Sequence, residues 1–288
     1  MLNALRHIRR HPLNRRTPLW GMGRFLRWQI ATRLLPDAAF AVPFTDRARL
    51  LVSRGMYGAT QNVYCGLNDF EDMSFLLHYL REGDTFLDIG ANVGAYTILA
   101  SAAAGASTYA FDPSPGALES LRANIELNRI ADRVRVEAVA VGRASGRVKV
   151  STSGPSAMHH VGADGTSSMV EMRTIDSYKL QPSIMKIDVE GYEAEVLAGA
   201  SETAAQPNLI AIITENNEDG GAKPGADVQS VSSFMSQHGF RAATYDPWRR
   251  SLAPKHTRSD NTLYVRDLER VQSRLSTARP FRVFGRSI

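Results

Sequence analysis

Between residues 85 and 215, short apolar runs repeatedly give way to segments with helical periodicity. TFLDIGA (85–91) reads as a buried strand and AYTILASAAA (95–104) as the helix that follows it. STYAFDP (107–113), PGALESLRANIELNR (115–129) and RVRVEAVAVG (133–142) continue as strand, helix and strand. Pro115 stands near the first turn of its helix, where a missing N–H costs little. GRVKVS and MVEMRTID are further strand candidates around a Gly/Ser-rich loop (153–168), and SIMKIDVEG (183–191), EAEVLAGASETAA and NLIAIITE (208–215) give strand, helix and strand again. Strands separated by helices of this length cross over rather than form hairpins. The chain is therefore predicted to be α/β, a doubly wound and mainly parallel sheet with helices on both faces. The late strands FRAATYD and NTLYVRD are expected to pair antiparallel at an edge.

A chain of 288 residues, 43% hydrophobic, can bury the core such a sheet needs. Its one cysteine, Cys65, excludes an internal disulfide framework and any zinc site built from several cysteines. The net charge of +5 is unevenly spread. Residues 1–40 hold eight arginines against Asp37 alone, and residues 266–288 hold six against Asp267 and Glu269. The body between them is mildly acidic, so no continuous basic face for specific nucleic-acid binding is expected. The basic ends suit an anionic membrane or a partner protein. The segment from Arg24 to Leu35 reads as a basic amphipathic helix, docked on the body or lying on a membrane surface. Paired arginines at 9–10 and 15–16 have no uncharged apolar run after them, and no run is long enough to span a bilayer. A cytoplasmic location is expected. Three parts follow: a basic N-terminal extension with an entry region (1–59), the α/β domain (60–266) and a basic C-terminal tail (267–288).

FLDIGANVGAYT joins a hydrophobic strand ending in Asp88 to a helix through Gly90, Asn92 and Gly94. In an open parallel sheet, ligands sit beyond the carboxyl ends of the strands, where glycines let them approach the backbone. The spacing is neither the Gly-x-Gly-x-x-Gly of nicotinamide enzymes nor a P-loop, which points to a nucleoside without a pyrophosphate. A tight turn alone is the bland alternative. Asp112, about twenty residues on, ends the second strand, where a carboxylate can accept both ribose hydroxyls or, more plainly, cap the next helix.

The run MKIDVEGY (185–192) puts Lys186, Asp188 and Glu190 on one face at the strand period of two. A buried lysine there needs a partner, and Asp88 of the adjacent strand or Asp188 would serve.

FLDIGANVGAYT, FDPSP, ANIELN, AVG, RTID and MKIDVEGYEAEVLAGA together resemble the FkbM-type S-adenosylmethionine-dependent methyltransferases, in order from about residue 62 to about residue 215. The resemblance implies a Rossmann-like domain of the class I methyltransferase type. It also implies S-adenosylmethionine as cofactor, and O-methylation of a sugar, glycan or natural product as the activity. It would set Asp88, Gly90, Asn92 and Gly94 along the methionine and ribose side, Asp112 at the ribose hydroxyls and Val141 beside the adenine. The family usually has Glu before Pro where this chain has Asp112; the acid is one methylene shorter. Asp188 and Glu190 would then face the acceptor, orienting or deprotonating its hydroxyl, or serve only as structural charges. Two carboxylates of one strand do not complete a metal cage, so no metal ligands are assigned. His159, with His160, is another base candidate, and Glu215 points to the same carboxyl edge. The segment YDPWRR (245–250) reads as an acceptor-site lid or a plain surface turn. The competing reading is a non-catalytic nucleotide-binding scaffold that docks on an anionic surface through its arginine-rich ends.

Overall fold

The computed structural model describes residues 2–151, 167–215, 228–255 and 261–288. Two helices, α1 (Leu2–Arg10) and α2 (Pro18–Leu34), precede a hairpin of β1 (Phe40–Pro43) and β2 (Arg49–Val52). Helices α3 (Tyr57–Cys65) and α4 (Phe70–Tyr79) lead into the alternating core. That core runs β3 (Thr85–Ile89), α5 (Ala95–Ile98), β4 (Ser107–Phe111), α6 (Pro115–Asn128) and β5 (Val134–Glu137), with α5 continuing as a π-helix over Leu99–Ala104. Strands β6 (Ala140–Val141), β7 (Gly146–Ser151) and β8 (Ser167–Arg173) follow. Next come β9 (Ile184–Ile187), α7 (Glu193–Ala198), α8 (Ser201–Ala205), β10 (Ala211–Glu215) and α9 (Val228–Gln237). The chain closes with β11 (Arg241–Asp246), β12 (Ser251–Pro254), β13 (Asn261–Val265), α10 (Leu268–Ser276) and a small hairpin, β14 (Arg282–Val283) and β15 (Arg286–Ser287).

Eight strands form the main sheet in the order β12-β11-β13-β10-β9-β3-β4-β5. Strands β10, β9, β3, β4 and β5 are mutually parallel, while β13 runs antiparallel between β10 and β11. The chain winds outward from β3 through β4 to β5, then returns to β9 on the other side of β3. That reversal opens a crevice at the carboxyl ends of β3 and β9, where ligands of such sheets sit.

Alternation along each strand feeds two cores. Phe86 and Ile184 join the layer that includes α4, α5 and α6, whereas Leu87, Ile89, Met185 and Ile187 pack with Val196, Leu197 and Met235 of α7 and α9. Both faces are covered, so the central strands read as continuous apolar runs, as in buried parallel sheets.

The run 133–142, expected as one strand, divides between two sheets. Residues Val134–Glu137 pair with β4, whereas Ala140–Val141 pair with β8 in a separate three-stranded sheet ordered β6-β8-β7. GRVKVS and MVEMR also belong to that small sheet. Strand β12 was not anticipated; it extends the antiparallel end by pairing with β11. The N-terminal helices dock on the body through buried Ile8, Leu13 and Trp28. At the other terminus Val271, Leu275, Phe281, Val283 and Ile288 are buried in the same core layer as Phe86.

Candidate active site

The turn after β3 is built from left-handed residues: Gly90 at φ 79°, Asn92 at φ 52° and Gly94 at φ 87°. A Cβ on Gly90 would lie 1.9 Å from the backbone carbonyl oxygen of Asp188, so glycine is required for contact between the two strand ends. Gly94 starts α5 against Leu121, whose Cδ1 would stand 2.4 Å from an added Cβ. Thr97, one turn into that helical stretch, donates its hydroxyl to Asp88 Oδ2 at 2.6 Å. Burial pushes the Asp88 carboxyl up, and the positive charge of Lys186 pulls it back.

Asp112 follows β4 and closes the opposite wall of the turn. Its Oδ2 accepts the backbone N–H of Asn92 at 2.9 Å, and its Oδ1 accepts that of Ser114 at 2.8 Å. Each oxygen keeps a second lone pair for a ligand hydroxyl. Burial raises its carboxyl to about 6, against those two N–H donors, which favour the ionised form. Asp112 does not cap α6, whose N-cap is Ser114 with no side-chain cap bond; on that side it accepts only the N–H of Ser114 itself. Val141 is buried, in the small sheet, where Gly142 N–H donates to Arg173 O at 3.1 Å.

These residues fit a nucleoside-bearing cofactor. The glycines leave the backbone bare, Asp112 offers acceptors, and Asn92 Oδ1 is buried with no hydrogen-bond partner among the described residues. A ligand donor seated in the loop would satisfy that last group.

On the other side of the crevice, Lys186 stands directly across from Asp88 in the β3–β9 register and bonds Asp188 Oδ2 through Nζ at 2.6 Å. Its ammonium also lies 4.6 Å from the centroid of the Tyr96 ring. Tyr96 in turn donates its hydroxyl to Asp69 Oδ2 at 3.0 Å, at the start of α4. Burial alone would pull the lysine down, but Asp188 and Asp88 reverse this and hold it above its usual value. Asp69 is pushed up by burial and pulled back by Lys186, and Asp72 is raised to about 7 by burial with Asp69 beside it. Tyr96, Asp69 and Asp72 gave no sequence signal, because Asp69 and Asp72 lie on a different element from Tyr96, 27 residues away for the Asp69 pair, and Lys186 is farther still.

The expected single charged face is only partly realised. Strand β9 stops at Ile187, although Asp188 N–H still bonds Ile89 O at 2.9 Å. Glu190 and Gly191 then both take left-handed backbone, at φ 55° and 100°. Glu193 stabilises this turn: its Oε1 accepts from Val189 N–H at 3.2 Å and Gly191 N–H at 3.1 Å. Sequence reasoning missed that role, for which the only signal is an acid two residues after the turn glycine.

Carboxylate oxygens of Asp188, Glu190 and Glu215 lie within 4.8 Å of one another. Three half-buried acids so disposed can hold an acceptor hydroxyl or a hard cation. His159 and His160 lie outside the described residues. YDPWRR begins on the last two residues of β11, which is parallel to β10, so Trp248 stands at the same carboxyl edge and packs on Phe70 at 5.3 Å between centroids.

A doubly wound sheet of this order, with a glycine turn after its first core strand and an acid after its second, is the class I methyltransferase architecture. Within that class the chain belongs to the FkbM family: the family model for the methyltransferase FkbM domain matches residues 88–242. Among curated proteins it is 27% identical over 174 residues to hexuronic acid methyltransferase AglP of Haloferax volcanii, covering 56% of this chain and 65% of that one. It is 29% identical over 221 residues to 31-O-demethyl-FK506 methyltransferase FkbM of Streptomyces tacrolimicus, covering 62% of this chain and 82% of the relative. The chain thus spans less than two thirds of the length of the first of these relatives. The crystal structure of methyltransferase FkbM from Methylobacillus flagellatus KT superposes at a TM-score of 0.46 with 16% identity, over 85% of this chain and 60% of that one.

Proposed function

We propose that the protein is an S-adenosylmethionine-dependent methyltransferase acting on a hydroxyl of a sugar, glycan or natural product. The carrying observation is Asp112, held across the glycine turn by Asn92 N–H with acceptor capacity left for a ribose diol. Family membership and the names of the two curated relatives support the activity and the acceptor class. In this reading Asp88, Gly90, Asn92 and Gly94 line the methionine and ribose side, and Val141 flanks the adenine.

When bound, the cofactor supplies an electrophilic methyl group on a sulfonium. The chain's own contribution is to hold an acceptor oxygen in line and take its proton. Asp188 and Glu190 do this at the rim, with Glu215 beside them as an orienting carboxylate. Lys186 holds the Asp188 carboxylate in place through its ammonium, 2.6 Å from Oδ2. A cytoplasmic setting belongs to the same reading, supported by a single, buried free thiol at Cys65.

Calorimetry with S-adenosylmethionine, S-adenosylhomocysteine and NAD tests it. Binding of the first two, lost in Asp112→Ala, is expected. Absence of binding to either would sink the proposal. Methyl transfer from labelled cofactor to a panel of uronic-acid oligosaccharides then reports turnover.

A further inference from the structure

Helix α2 is apolar on two opposite sides. One side is docked on the body: Gly21, Trp28 and Thr32 are buried, and Phe25 meets Tyr64 edge-on at 5.3 Å. A Cβ on Gly21 would run into Asn14 and Ile8 at 2.7–2.8 Å, so α1 and α2 are in close contact there. The other side faces outward. Leu19, Trp20, Leu26, Ile30 and Leu34 are 78%, 72%, 60%, 49% and 74% exposed. Leu19, Leu26, Ile30 and Leu34 recur at helical spacing and form one stripe opposite Trp28. Gly23 lies in the same stripe, and a Cβ added to it would meet nothing within 4 Å. Seven of the ten large hydrophobic residues that are clearly exposed among the described residues fall between Leu19 and Leu35. A contiguous apolar stripe of this kind marks a docking surface rather than ordinary scatter.

The charges beside it define what docks. Exposed Arg27 and Arg33 flank the stripe, and exposed Arg10, Arg15 and Arg16 lie at its N-terminal end beside Thr17. Residues 1–36 contain no acid. Arg15, Arg16 and Thr17 also wall a cleft of about 1130 Å³ that Arg10, Arg286 and Trp248 complete, at the same end of α2. No helix among the described residues is long and apolar enough to cross a membrane. A second copy of this chain fits poorly, because the same face of the copy offers no acid before Asp37 to meet these arginines. An interface that is apolar below and anionic at its rim fits both features.

We infer that the outer stripe of α2 seats in the interface of an anionic lipid bilayer, with the arginines on the lipid headgroups. The stripe shares no residue with the crevice at β3 and β9, so lipid binding through it is tested independently of the proposed methyl transfer.

Co-sedimentation of the full chain with vesicles of phosphatidylcholine, alone or mixed with phosphatidylglycerol, provides the test. Binding to the mixed vesicles only, weakening as salt rises, is expected. Leu26→Glu with Ile30→Glu should weaken partitioning at least ~10-fold, since two side chains lose their burial in lipid. Both sites are exposed, so that variant should keep the wild-type melting curve and S-adenosylhomocysteine binding. Arg27→Glu with Arg33→Glu should weaken binding and flatten its salt dependence. No binding to either vesicle, or equal binding to both, overturns the inference. So does a wild-type dimer in sedimentation equilibrium that Leu26→Glu with Ile30→Glu converts to monomer, which would make the stripe a protein interface.

Discussion

Lys186 and Asp88 stand opposite each other in adjacent parallel strands, yet the lysine's short contact, 2.6 Å, is to Asp188 two residues along its own chain. One ammonium thus answers several acids crowded around the head of the crevice. Lys186→Met leaves Asp88 buried with no counter-charge. The expected loss is about 3 kcal/mol, the low end for breaking a buried pair because Asp188 is partly solvated. Urea denaturation measures it, and adding Asp88→Asn should restore part of the loss.

Cofactor affinity should depend on Asp112 ionisation. Its folded value of about 6 lies above the ordinary carboxylate range, so the folded state holds the extra proton between roughly pH 4 and 6. Stability from this group therefore falls as pH rises across that window, while its capacity to accept a diol grows. S-adenosylhomocysteine should bind ~10-fold more weakly at pH 5 than at pH 7.5 by calorimetry, if only the ionised form accepts the diol. Asp112→Asn should remove this pH dependence.

Gly90→Ala should disable the cofactor loop. Left-handed backbone costs a non-glycine residue about 1–2 kcal/mol, and the added Cβ also collides with a carbonyl that cannot rotate away. A lowered melting temperature and loss of cofactor binding are expected together.

Acceptor chemistry should separate from cofactor binding. Asp188→Asn and Glu190→Gln are each expected to lower kcat about 10²-fold, as removal of a general base does, while S-adenosylhomocysteine binding stays near wild type. Turnover that survives both changes would show the acceptor side to be elsewhere.

The C-terminal segment should prove integral to stability. Phe281 is fully buried in the core layer shared with α4, and Phe281→Ala is expected to cost about 3–5 kcal/mol in urea denaturation.

The parallel core was legible because its strands are apolar on both faces and separated by helices, as at Phe86–Ile89 and Ile184–Ile187. The glycine turn and Asp112 were legible because both lie within one strand–helix–strand unit. What escaped depends on distance in sequence. Asp69 meets Tyr96 across 27 residues, and Lys186 reaches the Tyr96 ring across many more. The break in the run 133–142 escaped because residues 138–141 are all apolar and still read as strand, while the backbone leaves the sheet at 138 and 139. Glu190 was assigned to a strand face because periodicity cannot register two successive left-handed residues.

Glu193 has one more effect on the rim. By accepting the N–H groups of Val189 and Gly191 from the first residue of α7, it fastens the turn to that helix, whereas Asp188 N–H fastens its own residue to β3 through Ile89. The two acids proposed to face the acceptor thus ride on different parts of the protein, Asp188 with the sheet and Glu190 with the turn fastened to α7. A shift of α7 along the sheet would therefore change the gap between their carboxylates while the glycine turn after β3 stayed where it is.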